Sequence, residues 1–177
     1  MSQNAAETFP AATPPPGMYT LDPERTTVRA DCKAMFGLFT VHGTLQLKSG
    51  QVVIAAEPGG SSVRAVISAA SFSSGNATRD ADVISPALLD APGFPEITFA
   101  GQGARQDGAD WVVTGSVTAH GTPAPAEVRV SGARVEGETV RFAATARLDR
   151  TSFGVIKKKG MVGRMVTVLI EAVGQPA

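Results

Sequence analysis

The sequence is short of the residues that build metal centres and disulfides. It has a single cysteine, Cys32, and two histidines, His42 and His120. One cysteine excludes an internal disulfide, and no Cys or His pair has the spacing of a zinc site. The 16 basic residues are balanced by 16 acidic ones, so no net positive field favours nucleic acid as a partner. We therefore expect a fold stabilised by packing, with no metal and no nucleic-acid partner.

Long hydrophobic runs are also lacking. No stretch reaches the roughly 18 apolar residues that a membrane span requires, and the first residues have neither the basic nor the apolar region of a signal peptide. These absences predict a cytoplasmic protein without stable membrane insertion. Residues 1–17 contain four of the twelve prolines and no hydrophobic periodicity. They predict a flexible Pro-rich segment ahead of one domain over residues 18–177.

Alternation of apolar and polar residues is the dominant pattern of that domain. In residues 27–34, Val28, Ala30, Cys32 and Ala34 alternate with polar neighbours, as in a half-buried β-strand. Six further stretches alternate in this way, around residues 63–69, 97–99, 111–117, 128–130 and 140–148 and, less cleanly, 164–173. Residues 39–47 and 52–56 are predicted as two more strands, separated by a turn at residues 49–50.

The predicted connections are short and rich in Gly, Asp and Pro, which favours antiparallel neighbours. We predict turns at residues 58–60, 101–108, 121–125 and 136–138. The exception is a helical insertion within residues 73–95, where Ser85 and Pro86 resemble a helix start ahead of Leu88 and Leu89. About eight strands over this length predict an all-β fold, an antiparallel eight-stranded barrel with a short helical insertion.

The inward row of such a barrel decides its function. Small residues stand in mid-row on several strands: Ala30, Gly43, Ala65, Gly115, Ala144 and Ala146. They leave an apolar hollow if the strands splay, whereas the alternative is an alanine-rich core that is simply filled. The pattern alone leaves both interpretations open.

Chemistry-bearing motifs are absent from the chain. It contains no GxSxG, HExxH, GxxxxGK[ST] or GxGxxG motif. Cys32 lies on an apolar row, where burial raises a thiol pKa, so we interpret it as a small hydrophobic residue. The charged pairs Arg79-Asp80 and Asp149-Arg150 are interpreted as loop-fixing contacts. The run at residues 157–159, three lysines, is interpreted as a solvated turn, with contact to anionic lipid headgroups as the alternative.

Six separated motifs occur in the order found in one protein family. They are Tyr19-Thr20-Leu21-Asp22-Pro23, Thr40-Val41-His42-Gly43, Arg79-Asp80, Phe94-Pro95-Glu96-Ile97-Thr98-Phe99, Val117-Thr118-Ala119-His120-Gly121 followed by Pro125, and Asp149-Arg150-Thr151-Ser152-Phe153-Gly154. In these motifs the chain resembles the YceI-like proteins, lipocalin-like antiparallel barrels that surround a polyisoprenoid chain. The sequence departs from the family at Ala34 and Asp82, where the family usually has histidines.

The resemblance implies that the hollow exists and binds a long apolar isoprenoid-type lipid, a polyprenyl chain or a quinone tail, as a carrier, storage or sequestration protein. No other cofactor is implied. The lining residues expected on this hypothesis are Val28, Cys32, Phe39, Val41, Ile67, Phe99, Val113, Val117, Phe142, Ala144 and Ile170. Residues expected at a mouth or lid are Leu88, Leu89, Phe94 and His120, although a plug at one barrel end is an equal alternative for the insertion.

Two other classes of function remain as alternatives. The first is an enzyme acting on a lipophilic substrate in the same cavity; the near absence of titratable residues on the inward rows disfavours it. The second is a filled-core interaction module. The resemblance also points to a homodimer, on which the residue pattern is silent.

Overall fold

The structure is a computed structural model that describes residues 14–177. Most of the predicted flexible Pro-rich segment, residues 1–13 of 1–17, lies outside the described residues, and Gly17 belongs to the first strand. Within these residues the chain forms nine β-strands and one α-helix. The strands are β1 (Gly17–Leu21), β2 (Thr27–Ala34), β3 (Phe39–Ile54), β4 (Ser62–Ser73), β5 (Glu96–Asp107), β6 (Asp110–Ala119), β7 (Thr122–Glu136), β8 (Thr139–Asp149) and β9 (Val162–Pro176). The helix is α1 (Ala77–Ile84), and two short 3₁₀ turns cover Pro58–Gly60 and Arg150–Phe153.

The strands close into an antiparallel barrel. From β2 to β9 every strand pairs with two neighbours, in the ring order β3-β2-β9-β8-β7-β6-β5-β4, and β4 returns to β3. Strand β1 pairs with the ends of β3 and β9 that β2 does not reach. Strands β1 and β2 therefore occupy the same place in the ring, between β3 and β9. The predicted eight-stranded barrel is confirmed, and its closure leaves no free sheet edge among β2–β9.

A short turn separates β1 from β2. The Asp22 amide donates to the Val173 carbonyl at 2.8 Å, and the Val173 amide donates to the Thr26 hydroxyl at 3.1 Å. Both contacts hold the interruption against β9, so the two strands act as one broken strand of the barrel.

The connections divide the barrel into two ends. The turn end carries the β3–β4 connection, residues 55–61, and the two-residue turns at 108–109 and 137–138. The loop end carries the β2–β3 hairpin, residues 35–38, the insertion at 74–95, the turn at 120–121 and the segment 150–161. The two longest connections, residues 74–95 and 150–161, therefore both lie at the loop end.

Three predicted turns differ from the structure. Of the turn predicted at 101–108, residues 101–107 belong to β5, and the turn itself is limited to residues 108–109. Residues 49–50 lie inside β3, where a Cβ on Gly50 would come within 2.7 Å of the Leu21 side chain, so packing against β1 explains this glycine. The predicted turn at 121–125 is shorter, because Pro123 and Pro125 belong to β7. The turn consists of His120 and Gly121, both with positive φ, as in a type I′ hairpin.

The helix start was predicted in the wrong place. Helix α1 begins after Asn76, whose side chain accepts a hydrogen bond from the Arg79 amide at 3.0 Å. Ser85 instead ends the helix in an extended conformation. The physical reason is Pro86, because its ring disfavours the helical conformation for the preceding residue.

Two clusters of buried side chains lie along the barrel interior. One joins Leu88 of the insertion and Phe153 to Val117 of β6, which closes much of the loop end. The other joins Leu21 and Leu47 near the turn end. The space between the inward rows is not filled.

Candidate functional site: a cavity through the barrel

The barrel encloses a cavity of about 1060 Å³, lined from all nine strands. This volume lies at the upper limit of ordinary ligand pockets, which run to about 1,000 Å³. Its wall consists mainly of Val, Ala, Ile, Leu and Phe side chains. The interior is thus hollow and apolar rather than close-packed.

The structure places all eleven predicted lining residues in the cavity wall. They are Val28 and Cys32 on β2, Phe39 and Val41 on β3, Ile67 on β4, Phe99 on β5, Val113 and Val117 on β6, Phe142 and Ala144 on β8, and Ile170 on β9. Each belongs to the inward row that alternation indicates, because successive side chains of a strand face opposite sides of the sheet.

Only some of the small mid-row residues make room for the hollow. The alanines at positions 30, 65, 144 and 146 line the cavity. Gly43 instead lies beneath the ring of Phe72, which a Cβ would strike. At Gly115 a Cβ would lie 2.6 Å from the Gly101 Cα on β5, so this glycine permits close approach of two strands. Four of the six small residues therefore line the hollow, whereas the two glycines permit close packing.

All charged residues of the cavity wall belong to the loop end. They are Lys33, Arg79, Asp82, Arg150 and Lys158, four basic residues and one acidic. At the turn end the polar wall residues are uncharged, among them Ser61, Ser62 and Gln106. The cavity therefore has a basic end and a neutral end.

Arg150 is the most deeply buried of these charges, with 8% of its surface exposed. Its guanidinium donates to the carbonyls of Gly163, Val155, Lys157 and Val162 at 2.7–3.0 Å. Among the described residues no carboxylate lies within ion-pair distance of it, so carbonyl dipoles solvate the charge. The arginine holds the 155–163 segment against the barrel, in agreement with the predicted loop-fixing role.

Asp82 and Lys158 bring α1 and the lysine run together. Lys158 Nζ lies 2.5 Å from Asp82 Oδ2, and both side chains line the cavity. Ala34, the second position that departs from the family pattern, lies in the wall as well. Both positions at which the sequence differs from the family pattern, Ala34 and Asp82, therefore lie on the cavity wall at the loop end.

Arg79 and Asp80 fix the start of the insertion. Asp80 accepts hydrogen bonds from the Ser74 amide and hydroxyl, and Arg79 donates to the Ser74 hydroxyl and carbonyl. These bonds are local, so the predicted loop-fixing interpretation of this pair holds.

Cys32 is half-buried in the wall. Burial raises the pKa of its thiol, and this outweighs the opposing effects of a backbone hydrogen bond with Gly163 and of the Arg150 charge. A neutral thiol is a poor nucleophile, so its contribution to the wall is apolar.

The four predicted mouth residues separate into two pairs. Leu88 and Leu89 line the cavity, and Leu88 is buried in the cluster that closes the loop end. Phe94 and His120 lie outside the wall and pack on each other, with ring centroids 5.0 Å apart. His120 Nδ1 is 3.2 Å from the Phe153 carbonyl oxygen, so this pair joins the insertion to the 150–153 turn.

Sequence reasoning missed Phe72, an aromatic wall residue. The pairing of β3 with β4 jumps from Thr44–Ser73 to Gln46–Ser68, so an irregularity shifts Phe72 relative to the row that ends at Ile67. The Ser71 hydroxyl holds this irregularity by donating to the Ser68 carbonyl and accepting from the Gln46 amide. The serine-rich stretch is a weak signal for it.

Residues 14–177 lack a metal-ligand cluster and a membrane-spanning helix. In this range no group of three or more His, Cys, Asp or Glu side chains is arranged to hold a metal ion. The same range contains no helix that combines the length and the hydrophobicity needed to span a bilayer.

Two related sequences match most of this chain. A UPF0312 protein of Pseudomonas putida (strain GB-1) is 29% identical over 145 residues, 77% of this chain and 76% of the relative. A UPF0312 protein of Enterobacter sp. (strain 638) is 26% identical over 122 residues, 66% of this chain. The match spans 64% of that Enterobacter protein.

Solved structures show the same fold at low identity. BcnA of Burkholderia cenocepacia superimposes with a TM-score of 0.77 at 22% identity, covering 86% of this chain and 98% of BcnA. A polyisoprenoid-binding domain of Saccharophagus degradans, implicated in plant cell wall breakdown, gives 0.66 at 12% identity, covering 90% of this chain and 98% of that domain.

The fold and the cavity define a class, the hollow antiparallel β-barrels with an apolar interior. The YceI-like domain matches residues 19–173, nearly the whole barrel. The chain belongs to the YceI-like family, as its motifs predicted.

Proposed function

We propose that this protein binds a long apolar isoprenoid-type lipid, a polyprenyl chain or a quinone tail, inside the barrel as a carrier, storage or sequestration protein. The observation that carries the proposal is the continuous apolar cavity of about 1060 Å³. The eleven wall residues predicted from the sequence are the proposed contacts. A solved structure of the same fold is described as a polyisoprenoid-binding domain, which supports this class of ligand.

Burial of the chain supplies the binding energy. Each CH₂ group removed from water contributes about 0.8 kcal/mol, so a long prenyl chain needs few polar contacts to bind tightly. The polar end of the ligand lies at the loop end in this proposal, because all charged wall residues are there. The neutral turn end receives the apolar tail.

The proposed role is binding without catalysis. Arg150 is occupied by four backbone carbonyls, and Lys158 is paired with Asp82. The pKa of the Cys32 thiol is raised. These contacts leave the wall without an evident nucleophile or general base, which disfavours the enzyme alternative.

The first experiment is native mass spectrometry of protein purified without detergent, followed by organic extraction. We expect a stoichiometric mass adduct that extraction releases as a prenyl lipid or quinone. A protein that is empty and also takes up no added isoprenoid would contradict the proposal.

A bulky substitution in the middle of the cavity tests whether the wall residues contact the bound lipid. Ala144→Trp fills the cavity from β8, and we expect bound lipid to fall at least about tenfold, because the indole occupies the volume of the chain. Thr145→Trp is the matched control, since Thr145 is the next residue of the strand and is exposed on the outer face. Extraction quantifies the lipid in both variants.

Thermal unfolding separates loss of ligand from loss of fold. An Ala144→Trp protein that unfolds at the control's temperature yet retains its lipid would show that the wall is assigned wrongly. Should this variant fail to fold, Ala146→Phe two residues along the same row makes the same test.

A further inference from the structure

The loop end carries an apolar and basic surface, here called the rim and formed by residues 35–39 and 156–161. Among residues 14–177, eight of the ten exposed large hydrophobic side chains belong to the loop end. The other two, Met18 and Val135, are near the turn end. Exposed apolar groups are thus concentrated at one end of the barrel, and such patches mark interaction sites.

The two segments of the rim form one surface. The Phe36 amide donates to the Gly160 carbonyl at 2.6 Å, and the Met35 amide donates to the Met161 carbonyl at 3.0 Å. At this surface Phe36 is 81% exposed, Leu38 76% and Ile156 66%. These side chains add almost nothing to the core, so protein stability does not explain their apolar character.

The backbone of the hairpin is strained. Met35 and Phe36 have φ values of 50° and 56°, in the left-handed region that bulky residues rarely adopt. The Phe36 side chain, 81% exposed, gains little burial in exchange for this conformation. Strain retained without a packing reason is typical of binding and switch regions.

The rim is also basic. Lys157 and Lys159 are exposed, and within the described part of the chain no carboxylate lies within ion-pair distance of either. Lys158 pairs with Asp82. Lysines interleaved with exposed Phe, Leu, Ile and Met are the combination that binds a bilayer surface, since the lysines attract anionic headgroups and the apolar groups enter the interface.

We propose that the rim docks the barrel onto the surface of an anionic phospholipid bilayer. Charge complementarity selects the anionic membrane. The cavity supplies a second argument, because Met35, Phe39 and Met161 of the rim are exposed and also line the cavity wall. Docking places this end of the cavity against the lipid phase, from which an apolar ligand passes without crossing water. The docking itself does not depend on which ligand the cavity binds.

The test is co-sedimentation of the full chain with vesicles of phosphatidylcholine and phosphatidylglycerol, compared with phosphatidylcholine alone. Binding is expected on the mixed vesicles and is expected to weaken as salt rises. Lys157→Gln with Lys159→Gln removes two lysines and should lower the partition coefficient about 25-fold. Phe36→Ser with Leu38→Ser should lower it more than about tenfold.

Matched variants elsewhere provide the controls. Arg25→Gln with Arg64→Gln removes the same charge from exposed positions away from the rim, and Met18→Ser with Val135→Ser removes apolar groups near the turn end. Both controls should bind mixed vesicles within about twofold of the unchanged chain. A folded chain that ignores mixed vesicles, or controls that lose as much binding as the rim variants, would overturn the proposal.

Sedimentation velocity distinguishes the bilayer from a second copy of the chain. A dimer that dissociates in the Phe36→Ser, Leu38→Ser variant would identify the rim as a protein interface and would also overturn membrane docking. A chain whose oligomeric state is the same in the variant, with vesicle binding lost, supports it. Because vesicle binding needs no ligand, its failure is distinguishable from failure of the lipid-binding function, which extraction measures.

Discussion

The two ends of the barrel share strands and inward rows, yet they differ in chemistry. At the turn end two hairpins close with two residues and the β3–β4 connection covers residues 55–61, and the polar wall residues are neutral. The loop-end connections include the helical insertion at 74–95 and the segment 150–161 with its buried arginine. They supply four of the five charged wall residues, and the fifth, Lys33, lies near the end of β2. The strands thus supply a mainly apolar wall, and the connections make its two ends chemically different. Most charged groups of the cavity wall therefore come from loops, and functional residues are often found on loops that a rigid scaffold positions.

The largest expected effect concerns Arg150, which organises the loop end. Arg150→Met leaves four carbonyls without their charged donor, and we expect the free energy of unfolding to fall by roughly 3–5 kcal/mol. Arg147→Met is the control, because Arg147 is exposed on β8, where substitutions change stability by about 0.5 kcal/mol or less. Urea unfolding measures both. Equal stability of the two variants would mean that the 155–163 segment does not depend on Arg150.

Substitution of one turn glycine at each end should have smaller effects on stability, which can be compared between the two ends. Gly108 at the turn end has φ of 62° and open space where a Cβ would stand, so Gly108→Ala should cost about 1–2 kcal/mol of backbone strain. Gly121 at the loop end has φ of 69°, and a Cβ there would also lie 2.5 Å from the Phe94 ring. Gly121→Ala should therefore lower the unfolding temperature further.

A double variant checks the cause of that difference. In a Phe94→Ala background, adding Gly121→Ala should lower the unfolding temperature no more than Gly108→Ala lowers that of the unchanged chain, because the obstructing ring is gone. A lower unfolding temperature for Gly108→Ala than for Gly121→Ala would contradict the tighter packing around the 120–121 turn.

The smallest expected effect is acid sensitivity. Burial acts to raise the pKa of Asp31 on β2, but hydrogen bonds from His42 and Arg29 outweigh it and hold the pKa below its usual value. Stabilisation from this lowered pKa is complete above the ordinary pKa of aspartate and is lost as pH falls through the lowered value. Asp31→Asn should therefore destabilise near neutral pH, and the difference from the unchanged chain should shrink in acid.

Asp107 offers the corresponding test at the turn end. The hydrogen bond from Arg129 lowers the pKa of this exposed carboxyl. Its contribution is screened by solvent and salt, so Asp107→Asn should change the pH profile less than Asp31→Asn does. Urea unfolding across a pH series measures both profiles, and the opposite order would contradict this ranking.

Much of the barrel was predictable because alternation is a local signal. The row from Val28 to Ala34 was predicted from apolar spacing, and its residues line the cavity. Local signals failed where a distant contact decides the conformation. Gly50 resembles a turn residue, but it remains in β3 because Leu21 packs on it. Phe72 lies beyond the clear alternation because the β3–β4 pairing shifts there.

The charged part of the site was the least predictable. Asp82 and Lys158 are 76 residues apart in the chain and meet only when the barrel closes. Arg150 was correctly interpreted as structural, but its burial and its four carbonyl partners follow from the path of the 155–163 segment. No spacing rule connects these residues, since their contacts are long-range or depend on irregular backbone.

The sequence by itself determined most of the strands and inward rows and the absence of nucleophile or phosphate-loop motifs, because these depend on residue type and on the two-residue period of a strand. It left open whether the small inward residues fill a core or leave a cavity. Only the tertiary structure decided that, since a hollow is a property of strands that face each other across a closed barrel. It also decided that the charged wall residues and most of the exposed large hydrophobic side chains lie at one end, because alternate connections of an antiparallel barrel meet there in space though they are far apart in the chain.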